Sequence, residues 1–208
     1  MTWRTVLDTL FPPQCAACTT LGSGLCRVCA PISGIPVRLK IPHVDVTAYG
    51  TYDGILRSAI LALKDGRRDV AEALGERIAP FVAAQSVLVP VPTTVKRMRV
   101  RGMDGVALLA RRASALARAT VVEALRQRAG DAQRGRTRDE RLAARGRFAC
   151  DPSLVARRRI VLIDDVCTTG ATLEDCRRAV VEAGGFVEGA VVAAATKSGA
   201  SWTPPPPH

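Results

Sequence analysis

VLIDDVCTTGATL, residues 161–173, places acids and a phosphate-friendly turn side by side. Four apolar residues, Ile160 to Ile163, run straight into Asp164 and Asp165. A Thr168-Thr169-Gly170 turn follows, and Leu173, Cys176 and Val180 then recur at helical spacing. The pattern predicts a buried strand, a polar loop and a helix. The start of such a helix offers unpaired N–H groups and a partial positive charge, which suits phosphate. Thr168, Thr169 and Thr172 add hydroxyl donors beside Ala171, and Gly170 lets a backbone approach without a Cβ in the way. The acids lie on the strand side of the turn, where a carboxylate accepts hydrogen bonds from hydroxyls. A ribose bearing a 5′-phosphate offers both partners, a dianion at one end and a diol at the other. Helix-terminal charges with a threonine cap are the competing account; the joint pattern favours the ligand. Cys167, inside the loop, reads as a small filler rather than a reactive thiol.

Outward from this stretch, helices and strands alternate. Residues 44–52 read as a strand. Ile55, Leu56, Ala59, Ile60 and Leu63 form a helix stopped by Gly66, and Val70, Leu74, Ile78 and Phe81 form a second. SVLVPVP, residues 86–92, is a short buried strand, TTVKRMRVRGMDG a basic loop, and a helix begins near Val106. Val121 to Leu125 reads as a further strand. Phe186 to Thr196 is the last, after a Gly184-Gly185 helix stop. Pro31 to Pro42 reads as a linker with short extended pieces. Residues 126–147 carry eight arginines, which predicts a mobile, solvated segment, and the Pro-rich tail is expected to be disordered. This order predicts a mostly parallel α/β sheet flanked by helices, with ligands at the carboxyl ends of its strands.

Cys15, Cys18, Cys26 and Cys29 form C-x2-C-x7-C-x2-C, with Gly22, Ser23 and Gly24 in the intervening loop. Two close pairs bring four thiolates together, the donor set of structural tetrahedral Zn²⁺ with no position left for catalysis. So short a segment buries little, and metal binding would supply its folding energy. Two disulfides are the alternative, disfavoured in a cytoplasmic chain. The chain divides into residues 1–42 (amphipathic helix, zinc module and linker), 43–198 (α/β domain) and 199–208 (tail).

The formal net charge of +11 points to an anionic partner, although 26 arginines against 4 lysines could equally reflect codon composition. No apolar run approaches the ~18 residues of a membrane span. Trp3, Val6, Leu7, Leu10 and Phe11 alternate with polar residues, unlike the core of a signal peptide. The reading is a cytoplasmic protein. His43 and His208 are the only histidines, which argues against a Ser-His-Asp triad.

VLIDDVCTTGAT resembles the phosphoribosyl pyrophosphate (PRPP) signature of type I phosphoribosyltransferases. FPPQCAAC at 11–18, the four cysteines, VPVP at 89–92, RGMDG at 101–105, and Gln133 and Arg141 before GRF at 146–148 narrow the resemblance. Together they are similar to the ComF/GntX family of competence-associated proteins, from about Trp3 to Thr196.

The resemblance implies a type I phosphoribosyltransferase-like domain behind a small zinc module. Asp164 and Asp165 would contact the ribose hydroxyls, with Mg²⁺ bridging ribose and pyrophosphate oxygens. Thr168, Thr169, Gly170, Ala171 and Thr172 would form the 5′-phosphate loop, and Lys96 and Arg101 would lie near the pyrophosphate. The stretch from Gln133 to Arg147 resembles the loop that closes over the site in transferases. Where the family commonly has Arg-Gly-Phe-Asn, this chain has Arg101-Gly102-Met103-Asp104, and Ala143 replaces a usual asparagine. Catalytic roles would fall to Asp164, Asp165 and Arg101, moving a phosphoribosyl group to an unidentified acceptor. Two other readings stand beside the enzyme. One is a non-catalytic PRPP or nucleotide-binding module that handles single-stranded DNA during uptake or docks a helicase-like competence partner. The other is a regulator that senses PRPP.

Overall fold

The structure, a computed structural model, describes residues 12–128 and 146–196, with the side chains of 95–97 left aside. The expected N-terminal amphipathic helix, most of the arginine-rich segment and the Pro-rich tail lie outside these residues.

Six strands form the main sheet in the order β1-β2-β8-β7-β3-β4. β1 (Val37–Ile41) pairs antiparallel with β2 (Val44–Thr51). The remaining pairs, among β2, β8 (Phe186–Ala195), β7 (Arg159–Cys167), β3 (Val87–Pro90) and β4 (Thr120–Val121), are parallel. β7 is therefore flanked on both edges, and Ile160, Leu162 and Ile163 are fully buried. Such strands read as continuous apolar runs because both faces are covered.

One face carries α2 (Gly54–Lys64), α3 (Arg68–Ile78) and α5 (Gly105–Ala117). Leu56, Ile60 and Leu63, one stripe of α2, are buried there with Leu74 and Leu109. Burying each such side chain contributes about 1.5–3 kcal/mol. The other face carries α7 (Ala171–Glu182), whose Leu173, Cys176 and Val180 pack with Ile160, Leu162 and Val192. A separate antiparallel hairpin, β5 (Leu125–Gln127) with β6 (Phe148–Cys150), adds Leu125 and Phe148 to this second core, and the short α6 (Pro152–Val155) adds Val155. Mixed α/β architecture with a mostly parallel, helix-flanked sheet is thus present as expected.

The structure departs from the sequence reading at three places. The basic stretch after β3 is a helix, α4 (Val95–Arg101), and not a loop. Lys, Arg and Met are good helix formers, and charge alone does not open a loop. The Pro31–Pro42 stretch contains α1 (Cys29–Ser33, overlapping its start) and β1. The alternation Val37, Leu39, Ile41, all buried, was the period-2 signal of β1, concealed by Pro36 and Pro42. The strand expected at Val121–Leu125 is divided between β4 and β5, which join different sheets.

The cysteine segment packs on the α2–α3 face through Cys15, Leu25, Cys26, Cys29 and Ala30. Arg67, at the start of α3, donates to the Gln14 carbonyl and pairs with Asp69. A Cβ at Gly24 would lie 2.6 Å from the Asp69 backbone, so glycine allows this close seat. Among the described residues, no helix is long and apolar enough to cross a membrane.

Candidate functional site

β3 and β7 are neighbours, but their chain connections leave in opposite directions. β3 continues through α5 to β4 on one side; β7 continues through α7 to β8 on the other. Strand order therefore reverses between them, and the crevice beyond their carboxyl ends is where open α/β sheets take ligands. A cavity of about 390 Å³ occupies this place. Thr93 and Thr94 from the end of β3, and Asp164, Asp165, Thr168 and Thr172 from β7 and α7, line it. Arg101, at the end of α4, lines it too.

Successive strand residues point to opposite faces, and the two acids illustrate it. Asp165 faces the α2 side, where Lys64 Nζ lies 3.7 Å from its carboxylate. Asp164 is buried on the α7 side, where its charge helps hold the Cys176 thiol above its usual pKa, after burial itself. Asp164 accepts the Asp165 backbone N–H at 2.8 Å. Burial first, and the neighbouring Asp165 charge second, push the Asp164 carboxyl well above the ordinary carboxylate range. Cys167, pushed up to about 11 by burial, is an inert buried thiol, in line with its reading as filler.

The turn between β7 and α7 has two kinds of residue. Thr168 and Thr172 stand in the cavity wall; Thr169, Gly170 and Ala171 do not. Gly170 has φ +78°, and a Cβ there would come within 2.6 Å of the Ile41 side chain. The glycine is thus required by a left-handed backbone and by the close approach of β1, two constraints that the sequence alone does not separate from approach to a ligand. Gly170 caps α7 without a side-chain acceptor, while the Thr169 hydroxyl accepts the Ala171 N–H at 3.4 Å.

Met103 is buried in the core, and Asp104 caps α5 by accepting the Ala107 N–H at 3.0 Å. The Thr93 hydroxyl donates to the same carboxylate at 3.2 Å, fixing the loop after β3. An apolar residue followed by a capping oxygen is what this corner needs, and Met-Asp supplies it. The side chain of Lys96 lies outside the described residues.

Two further cations stand in the cavity wall, one that the sequence did not single out and one that ends the stretch expected to close over the site. Lys64 comes from the end of α2, and Arg147 from just before β6. Arg147 lies over the Phe148 ring at 5.6 Å and hydrogen-bonds to Asp175 of α7. Lys64 closes an amphipathic helix and carried no local signal, whereas Arg147 ends the Gln133–Arg147 stretch expected to close over the site, with nothing local to set it apart from the other arginines there.

At the N-terminal module the four cysteine sulfurs lie within 4.8 Å of one another and form no disulfide. The Cys18 and Cys26 sulfurs are 3.6 Å apart; tetrahedral Zn–S bonds of about 2.3 Å imply sulfur separations of roughly 3.8 Å. Backbone N–H groups of Cys26 and Cys29 are directed at the Cys15 and Cys26 sulfurs. Cys18 is lowered to about 6 by the Thr20 hydroxyl, while burial raises Cys29. The set fits structural Zn²⁺.

No family model matches the chain, and no curated protein matches it. Among solved structures, it is similar to the allosteric regulatory enzyme of purine biosynthesis, at 17% identity and a TM-score of 0.42, covering 60% of this chain. The chain spans only 26% of that enzyme's length. It is also similar to a protein from Thermus thermophilus (19% identity, TM-score 0.35, 64% of this chain and 85% of that one). A third similarity is to a hypothetical protein from Neisseria gonorrhoeae with bound ppGpp (14% identity, TM-score 0.33, 74% of this chain and 76% of that one).

Proposed function

We propose that the chain binds PRPP, or a related ribose 5-phosphate, in the crevice between β3 and β7, and transfers the phosphoribosyl group to a nitrogen acceptor with release of pyrophosphate. The observation that carries this reading is the convergence of Asp164, Asp165, Thr168 and Thr172 on one cavity at the reversal of strand order. The acids take the 2′,3′-diol and the threonine turn takes the 5′-phosphate. Arg101 and Lys64, both in the cavity wall, would supply the cations that a pyrophosphate on C1 needs.

The two carboxylates are hard oxygen donors that suit Mg²⁺. When bound, Mg²⁺ would neutralise charge on the pyrophosphate. The chain's own residues hold the sugar so that a nitrogen reaches C1 from the face opposite the leaving group. The N–C1 bond forms as the C1–O bond breaks. Pyrophosphate leaves with the electron pair, and the nitrogen loses its proton to solvent. Positioning supplies most of the acceleration in such a displacement, and no covalent nucleophile is needed.

The ComF/GntX resemblance adds a setting in DNA uptake, with a helicase-like motor as partner. Direct stacking of single-stranded DNA is disfavoured: Phe148, the aromatic beside the basic stretch, is 3% exposed, and a stacking platform needs an open ring.

Calorimetric titration of PRPP with and without Mg²⁺, on wild type and on Asp164→Ala/Asp165→Ala, tests the site. Binding that needs Mg²⁺ and is lost in the double variant is expected; equal binding by the variant overturns the reading. Pyrophosphate release across a panel of bases then separates a transferase from a binding module.

A further inference from the structure

We infer that Arg147 is the cationic ligand of the 5′-phosphate, held for that task by Asp175; the assignment rests on the ribose 5-phosphate reading above. In that reading the phosphate is taken by a turn and its hydroxyls. The structure adds a guanidinium at the same place. Arg147 Nη2 lies 3.4 Å from Thr172 Oγ1, and Arg147 itself lines the cavity. An anion seated against the Thr172 hydroxyl is therefore within reach of that Nη2 group. Lys64, the other cation that the sequence did not single out, stands beside Asp165 at the acid end.

Asp175, one helical turn along from Thr172, positions the arginine. Its Oδ2 accepts both the Arg147 backbone N–H at 2.9 Å and the Arg147 Nε–H at 3.0 Å. Its Oδ1 accepts Arg178 Nη2 at 2.5 Å. Both oxygens are thus engaged. Burial opposes ionisation of Asp175, yet the Arg147 amide and the two guanidinium groups outweigh it and hold the carboxyl below its usual range. Nε bound to a fixed carboxylate leaves the Nη edge of the fork for an anion, which a lysine ammonium could not reproduce. Gly146 makes the approach possible. It has φ +71°, and a Cβ there would lie 1.4 Å from Arg178 Nη2 and 2.5 Å from Asp175 Oδ1. A side chain at 146 would displace the arrangement.

The test titrates ribose 5-phosphate and, separately, pyrophosphate with Mg²⁺ into wild type, Arg147→Gln, Arg147→Lys, Asp175→Asn and the Arg147→Gln/Asp175→Asn double variant. Arg147→Gln should weaken ribose 5-phosphate about 10- to 100-fold, as expected for a lost charge-assisted hydrogen bond, and leave pyrophosphate within about twofold. Arg147→Lys should fall between. Asp175→Asn should weaken ribose 5-phosphate by less, and should add nothing in the Arg147→Gln background, an outcome a merely structural role would not give. If wild type binds ribose 5-phosphate and Arg147→Gln binds it equally, or loses pyrophosphate instead, the assignment is wrong while the site reading stands. If wild type binds neither ligand, both fall.

Discussion

The cysteine module and the β7–α7 corner are both tight turns that gather polar groups, but they are held in opposite ways. Towards the corner, β7 is hydrogen-bonded to β8 from Arg159 to Cys167 and to β3 from Ile160 to Ile163, and it is covered by helices on both faces. The sheet fixes the backbone there before any ligand arrives, so Asp164 is kept buried at an electrostatic cost. The module contributes few large side chains to the core and leaves Leu21, Val28, Ile32 and Ile35 exposed. Four sulfurs within 4.8 Å of one another are a concentration of lone pairs that a metal ion would stabilise. On the proposed reading, the corner gives up stability for binding, and the module would gain stability from a metal ion. Metal loss should therefore be felt in folding, and acid replacement in binding.

Stripping metal with a chelator, or Cys26→Ser, gives the largest expected effect. Tm should fall on the order of 10 °C, because Cys15, Cys26 and Cys29 share a core with α2 and α3. Ribose 5-phosphate affinity, measured below the new Tm, should change little. A large loss of affinity without a fall in Tm would reverse the comparison.

Asp164→Asn should do the opposite, weakening PRPP by roughly 100-fold, the scale of a lost charged contact, while raising Tm. The wild-type carboxyl, raised by burial and by Asp165, keeps its proton when folded at pH values where the unfolded chain has lost it. Its contribution is fully present below pH ~4 and is lost as pH rises toward the folded value. Without divalent cations, the Tm advantage of Asp164→Asn should grow as pH rises from about 4 and then level off. A flat difference in melting curves across that range would remove the argument that the corner stores an electrostatic cost.

Gly170→Ala tests how rigidly the corner is built. A Cβ against Ile41, on a backbone at φ +78°, should cost about 1–3 kcal/mol in chemical denaturation. Lys64→Ala should give the smallest change in stability, under about 1 kcal/mol, since the lysine is 36% exposed and its pair is screened by solvent. PRPP should weaken several-fold, with ribose 5-phosphate unaffected. Equal loss on both ligands would place Lys64 nearer the sugar.

The β7–turn–α7 unit was legible because its signals are local. An apolar run, adjacent acids, a Thr-Thr-Gly turn and a 3.6-residue period need no knowledge of the rest of the chain. The C-x2-C pairs were legible for the same reason. α4 is hard to read locally because its charges resemble those of a solvated loop, and β1 because Pro36 and Pro42 conceal the alternation between them. Lys64 had no local mark at all, and Arg147 had only its place at the end of the arginine-rich stretch. The first looks like the polar end of an amphipathic helix, and the second like one arginine among many.

By itself the sequence determined which backbone pieces form and which side chains share a turn, since helix and strand periods and cysteine spacing act over a few residues. The tertiary structure alone decided that strand order reverses between β3 and β7, that Lys64 joins the acids, Arg101 and Arg147 in one cavity, and that Asp175 holds Arg147 at Thr172. Those meetings depend on which way each crossover turns and on strand register. Both are settled by burying all the apolar faces at once, a global condition that no short window of residues contains.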